Sequence, residues 1–194
     1  MMCPHRLTED GIEMQFGTNH VGHFLFTMLL LDLIKKSAPS RIINVSSLGH
    51  NLTGPLDFDD IVKRDKSYNS TIAYAQSKLS NILFTKELAK RLEGTGVTAY
   101  ALHPGGVDTE LARHLRSRWW LVLEPVYYVL TFFLKTAYEG AQTNIYCAVE
   151  KSLDKETGKY YSDCAEKRPA KTAFDEAAAK KLWELSERLT DFKS

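Results

Sequence analysis

Apolar positions along the chain recur with two different periods. Between residues 11 and 36, Val21, Phe24, Leu25, Met28 and Leu31 repeat at the spacing of one helix face. Lys35 and Lys36 suit the negative end of that helix, and Pro39 bars its continuation. The run Arg41-Ile42-Ile43-Asn44-Val45-Ser46-Ser47 is short and rich in β-branched residues, and it predicts a buried strand. Residues 49–69, with Gly54-Pro55 and several Asp, read as a loop. Helical spacing resumes over 72–92 through Leu79, Ile82, Leu83 and Leu88, and Gly94 and Gly96 close it. A second strand is predicted over 97–102, ending at His103-Pro104-Gly105-Gly106. After an apolar segment at 119–134 come a helix over about 136–150, a turn at 155–158 and a short strand over 159–162. A last helix is expected to begin near Thr172, where Thr172-x-x-Asp175 resembles a capping box, with Ala178, Leu182, Leu185 and Leu189 on its inner face. Helices alternating with strands imply an α/β fold with parallel strands and helices on both faces. Only three strands are visible, which is few for a doubly wound sheet.

The length of 194 residues predicts a single domain over 1–194. With 44% hydrophobic and 25% charged residues, the chain reads as globular. A net charge of +1 with no basic arm gives no electrostatic footprint for nucleic acid. Cys3, Cys147 and Cys164 are far apart and odd in number, so neither a disulfide framework nor a zinc ribbon is expected, and a reducing compartment is the default. The first ten residues have no apolar signal core. The 16 residues 119–134 are interrupted by Glu124-Pro125 and fall short of the roughly 20 that span a bilayer. Two readings of them stay open: a partly buried substrate-loop helix, or a lid over a lipophilic substrate that also touches membrane, aided by Arg113, Arg116 and Arg118.

Tyr74-Ala75-Gln76-Ser77-Lys78 sets a phenol and an ammonium four residues apart, on one side of a helix. A free Tyr titrates near pH 10, so proton transfer near neutrality asks for a shift of about three units, or roughly 4 kcal/mol. One ammonium supplies about one to three units, and a second positive charge such as an oxidised nicotinamide ring could supply the rest. Alone, such a pair is more often a surface feature. Here, Asn44-Val45-Ser46-Ser47 ends a strand upstream and His103-Pro104-Gly105-Gly106-Val107-Asp108-Thr109 ends the next one. In an open α/β sheet ligands lie beyond the carboxyl ends of the strands, so the three features face one crevice.

These stretches, with Gly17-Thr18-Asn19-His20-Val21-Gly22-His23-Phe24, Gly140-Ala141-Gln142 and Gly158-Lys159-Tyr160, resemble the short-chain dehydrogenase/reductase family, and within it the retinol dehydrogenase group. The resemblance implies Tyr74 as general acid/base and Lys78 as the group that depresses its pKa and holds the nicotinamide ribose. It implies Ser47 as hydrogen-bond donor to the substrate oxygen, and Asn19 as holder of a water that links Lys78 to solvent. Pro104, Gly105, Val107 and Thr109 would line the nicotinamide side. The implied chemistry is hydride transfer with NADP(H), or NAD(H), between lipophilic alcohols and aldehydes or ketones such as retinol and retinal. The implied setting faces the cytoplasm at the endoplasmic reticulum membrane, with a homodimer formed through the helices at 11–36 and 72–92.

The family's phosphate-binding T-G-x-x-x-G-x-G turn appears nowhere among the 11 glycines, and its N-N-A-G segment is also absent. The resemblance therefore covers about the C-terminal three fifths of the family's fold, a Rossmann-like sheet lacking its first βαβ units. Two expectations follow. One is a dehydrogenase half that is incompetent alone; the other is a non-catalytic chain that pairs with a longer homologue. The strand at 41–47 would be left with an open edge.

Other readings are weaker. His20 and His23 are a turn apart, but no further ligand follows at metal-site spacing, so no metal is expected. Ser46-Ser47 lacks the G-x-S-x-G of a hydrolase elbow. Sugar epimerases share Tyr/Lys pairs but fit the Pro-Gly segment poorly. Three glycosylation sequons, at Asn44, Asn51 and Asn69, read as chance.

Overall fold

The computed structural model describes residues 1–64, 68–107 and 134–192. A short helical turn, α1 (Met14–Phe16), runs through a π-helical turn, Gly17–Val21, into α2 (Gly22–Lys36). The helix expected over 11–36 thus starts later, because the buried Glu13 carboxylate caps it by accepting from the Gln15 and Phe16 amides. It also carries one wide turn that its apolar spacing does not announce. Strand β1 (Ser40–Val45) follows, then a 3-10 turn, Leu48–Leu52. Helix α3 (Ser70–Arg91) is capped by Asn69. Strand β2 (Val97–His103), helix α4 (Ala137–Val149), strands β3 (Lys159–Ser162) and β4 (Ala165–Glu166), and helix α5 (Glu176–Thr190) complete the order.

Two termini differ from the sequence reading. Thr172 does not open the last helix: it lies in a 3-10 turn, Lys171–Phe174, and Asp175 is the cap, accepting from the Ala178 amide. The reciprocal capping box is instead at Thr136 and Glu139, at the head of α4. Strand β4 was not foreseen. It is two residues long, and its turn is made by Asp163 and Cys164, both at positive φ.

The sheet order is β1-β2-β3-β4, with the first three strands parallel and β4 antiparallel to β3. Ile43 pairs with Tyr100, and Tyr100 with Lys159. Alternation along the strands sorts the core. Ala99, Ala101 and Tyr160 pack with α3 and α5 residues such as Leu79, Ile82, Leu88 and Leu182. Tyr100, Leu102 and Tyr161 pack on the other side with Cys147 of α4. This is the α/β arrangement expected. Trp183 of α5 seats its ring 5.1 Å from that of Phe24 and 5.8 Å from that of Phe84, joining α2, α3 and α5.

Among the described residues, no strand pairs with the outer edge of β1. Phe26, Leu29 and Leu33 of α2 are 67%, 65% and 63% exposed, at the i, i+3, i+7 spacing of one face. No described helix is long and apolar enough to cross a membrane. Thr109 and residues 119–133, which carry the proposed lid, lie outside the described residues.

Candidate active site

Because β1 and β2 are parallel and in register, with Val45 opposite Leu102, both release their chains at the same edge of the sheet. Ser46 and Ser47 leave β1 there. Ser46 is buried and donates from Oγ to the Lys78 carbonyl at 2.7 Å. Ser47 caps the following 3-10 turn, its Oγ accepting from the Gly49 amide at 3.1 Å.

Helix α3 brings Tyr74, Ser77 and Lys78 to the same place, α3 being seated against β1 by an apolar face that includes Leu88 and Ala89. The Tyr74 ring lies over Gly49: a Cβ at that glycine would sit 3.2 Å from Tyr74 Cε1. A side chain at 49 would require the ring to give by a few tenths of an ångström. The Ser47 hydroxyl interacts with the Tyr74 phenol. Burial is the larger influence on that phenol and holds its pKa above the usual tyrosine value, with the Ser47 bond opposing it.

Lys78 Nζ donates to the Val45 carbonyl at 3.1 Å and lies 5.8 Å from the centroid of the Tyr74 ring. Asn81 Nδ2 donates to the same carbonyl, also at 3.1 Å. Burial pushes the Lys78 pKa down to about 8. At neutral pH the pair is therefore a neutral phenol beside a mostly protonated amine.

Asn19 sits within the π-helical turn, and its Nδ2 donates to Ser77 Oγ at 2.9 Å. Ser77 Oγ in turn donates to the Tyr74 carbonyl at 2.8 Å. Asn19 is thereby tied to α3 at the residue before Lys78. His20 faces the other way, into the core. Its Nε2 meets Ser186 Oγ at 2.8 Å, its ring stacks on Phe16, and burial drops its pKa to about 3. His23 is exposed on α2, and no group of three or more His, Cys, Asp or Glu among the described residues is arranged to hold a metal.

Pro104, Gly105 and Val107 follow β2, one strand over from Ser47. Gly105 has φ +99°, a conformation that asks for glycine, and the movable end of the Lys135 side chain lies 2.7 Å from where a Cβ would be. The Lys135 amide donates to the Gly106 carbonyl at 2.7 Å, and its Nζ pairs with Asp163 in the β3–β4 turn. Gly140 of α4 admits Val107: a Cβ there would be 2.5 Å from Val107 Cγ2. A cavity of about 470 Å³ opens at this edge between Leu48, His50, His103, Gly105, Lys135 and Tyr160. A slightly larger one, about 500 Å³, lies at the opposite end of the strands near Lys90 and Thr157, remote from Tyr74 and Lys78.

The structure thus gathers Asn19, Ser47, Tyr74 and Lys78, and sets residues 104–107 at the neighbouring strand end. Sequence reasoning missed Ser77, which ties Asn19 to α3, and His50, which bonds the Ser47 carbonyl. Ser77 lies inside the Tyr/Lys motif, so its position was available; the partner of His50 was not.

Comparisons with known proteins concern the chain as a whole. Residues 62–119 match the family described as short chain dehydrogenase. The chain is 49% identical to human retinol dehydrogenase 11, over 96% of this chain and 56% of that protein. It is 50% identical to human retinol dehydrogenase 14, over 95% of this chain and 54% of that protein. It is 49% identical to human retinol dehydrogenase 13, over 100% of this chain and 59% of that protein. The chain therefore spans somewhat more than half the length of these relatives. The crystal structure of an uncharacterised protein from Mycobacterium paratuberculosis superposes with a TM-score of 0.73 at 33% identity, covering 100% of this chain and 64% of that one. NADPH-bound carbonyl reductase from chicken fatty liver shares the fold, with a TM-score of 0.56 at 19% identity over 86% of this chain and 62% of that one. The chain belongs to the short-chain dehydrogenase/reductase family and is retinol dehydrogenase-like within it.

Proposed function

We propose that this chain carries the catalytic half of an oxidoreductase that moves hydride between a lipophilic alcohol and the corresponding aldehyde or ketone, retinol and retinal being the model pair. The observation that carries the reading is the meeting of Ser47, Tyr74 and Lys78 at the carboxyl edge of a parallel sheet. The residues present suit the nicotinamide-ribose end of NADP(H) or NAD(H): Tyr74 and Lys78 offer polar heads on one helix face, and Gly105 and Gly106 leave bare backbone one strand away. Tyr74, Lys78, Pro104, Gly105 and Val107 would hold it, with Thr109 further along the same segment. Bound there, the nicotinamide supplies or accepts the hydride.

The chain's own part is the proton. In reduction, Ser47 Oγ and the Tyr74 hydroxyl donate to the carbonyl oxygen, and the Tyr74 proton moves onto it as the alcohol forms. The Lys78 ammonium stabilises the phenolate left behind. Asn19 would orient a water through which Lys78 and solvent restore that proton. The resting protonation, with phenol neutral and amine charged, suits this direction.

The same reading assigns pyrophosphate binding to a turn that these 194 residues do not contain. Residues 1–194 alone are expected to show no stoichiometric NADPH binding by fluorescence titration; saturation at one equivalent would refute that. Joined to a half that bears T-G-x-x-x-G-x-G, the chain is expected to consume NADPH with retinal and long alkanals in preference to hydrophilic aldehydes. Equal rates with both classes would remove the lipophilic assignment.

A second reading is favoured by the exposed α2 stripe: a non-catalytic subunit that pairs with a longer homologue through Phe26, Leu29 and Leu33. Sedimentation velocity should show wild-type chain associating with such a homologue, and Leu29→Asp should abolish it. Monomers in every mixture would dispose of this reading.

A further inference from the structure

His50 bears none of the roles above, yet it joins the serine turn to a segment 120 residues further along. The residue is 1% exposed. Nδ1 lies 2.6 Å from the Ser47 carbonyl oxygen, and Nε2 lies 3.1 Å from the backbone nitrogen of Ala170. These partners decide where the ring proton is. A backbone N–H can only donate, so Nε2 must be bare and accept. A carbonyl can only accept, so Nδ1 must carry the hydrogen. Burial lowers the ring's pKa against the opposing pull of the Ser47 carbonyl, which keeps the imidazole neutral at pH 7. The ring edge is fixed as well: it meets the Tyr160 ring at 5.2 Å and 67°. The backbone amide of His50 also donates to the Ser47 carbonyl, at 3.1 Å. Beyond Ala170, the 167–170 segment is anchored by the Lys167 amide, which donates to the Tyr160 carbonyl at 2.8 Å. Lys167 and Arg168 form one wall of the cavity at the strand ends.

We infer that His50 is a positioning residue: a neutral strut of fixed tautomer that braces the Ser47 turn against residues 167–170 and so keeps the Ser47 hydroxyl beside Tyr74. Its effect on turnover rests on the dehydrogenase reading; the strut itself does not. The inference makes two separable claims, one for each ring nitrogen. In His50→Asn the side-chain amide stands where Nδ1 stood and still donates to Ser47, but it is too short to reach Ala170. In His50→Ala both links are gone.

Amide exchange of the purified chain, read by NMR, separates these cases without any need for activity. In His50→Asn, the Ala170 amide is expected to exchange at least about tenfold faster than in wild type, with the Gly49 amide nearly unchanged. In His50→Ala, both should accelerate by about tenfold or more, while the amides of β2 stay protected and report an intact sheet. Wild-type exchange at Ala170 in His50→Asn would overturn the strut, and that variant decides the matter even if His50→Ala unfolds. The turnover arm uses the chain joined to a phosphate-binding half. There, His50→Ala is expected to lower kcat about tenfold with KM nearly unchanged, and to add less than about twofold in a Ser47→Ala background. A full tenfold loss in that background would show that His50 does not act through Ser47. Absence of turnover in the wild-type form would count against the dehydrogenase reading alone, since the exchange arm still tests the strut.

Discussion

Tyr74→Phe is expected to lower kcat about 10³-fold in the chain joined to a phosphate-binding half, the middle of the range for losing a general acid/base. The change removes one oxygen and leaves the ring. Its packing over Gly49 is therefore retained, and the helix cap at Asn69 is untouched. Stability should change by no more than about 1 kcal/mol, since a single hydroxyl interaction with Ser47 is lost while the ring stays in place. Rate and melting temperature measured on the same preparation check both halves of the expectation. A rate within tenfold of wild type would take the acid/base role away from Tyr74.

Lys78→Met should do two opposite things. The folded state lowers the Lys78 pKa from 10.5 to about 8 through burial, so folding disfavours the charged amine. Below about pH 8 the amine is protonated whether folded or unfolded, and the whole penalty is present. Between about 8 and 10.5 the unfolded chain binds more protons than the folded one, and stability rises with pH. A methionine of similar length escapes the penalty. After allowance for the amine's partial access to water and the lost bond to Val45, whose carbonyl keeps Asn81, the gain at pH 7 is about 2 kcal/mol. Turnover should meanwhile fall at least about 10²-fold, because the phenolate loses its neighbouring charge. Urea denaturation at pH 7 and pH 9.5 checks the sign: the stability advantage of Lys78→Met over wild type is expected to shrink between the two. An advantage that grows over that interval would contradict the burial argument.

What could be read from sequence follows from the reach of each signal. The parallel strands were visible because residues 41–45 and 97–102 are short runs rich in β-branched and aromatic residues, bounded by turn residues. The Tyr74/Lys78 pair was visible because four residues is one helical turn. The π-helical turn at Gly17–Val21 was not: one extra residue in a turn leaves no periodic mark in a helix otherwise regular, although it decides where Asn19 projects. Thr172 and Asp175 both suit a helix cap, and only the backbone settles the choice for Asp175. The hairpin at β4 rests on two residues at positive φ, neither of them glycine. The partnership of His50 with Ala170 joins distant parts of the chain, and no local pattern carries it.

Ser46 and Lys78 bond each other's segments reciprocally: the serine side chain holds the lysine's backbone, and the lysine side chain holds the strand's last carbonyl. Sliding α3 along β1 therefore breaks both of these bonds, and the Asn81 bond to the same carbonyl, at once. Hydroxyl, phenol and amine thus share one frame of reference, fixed where β1 ends against α3.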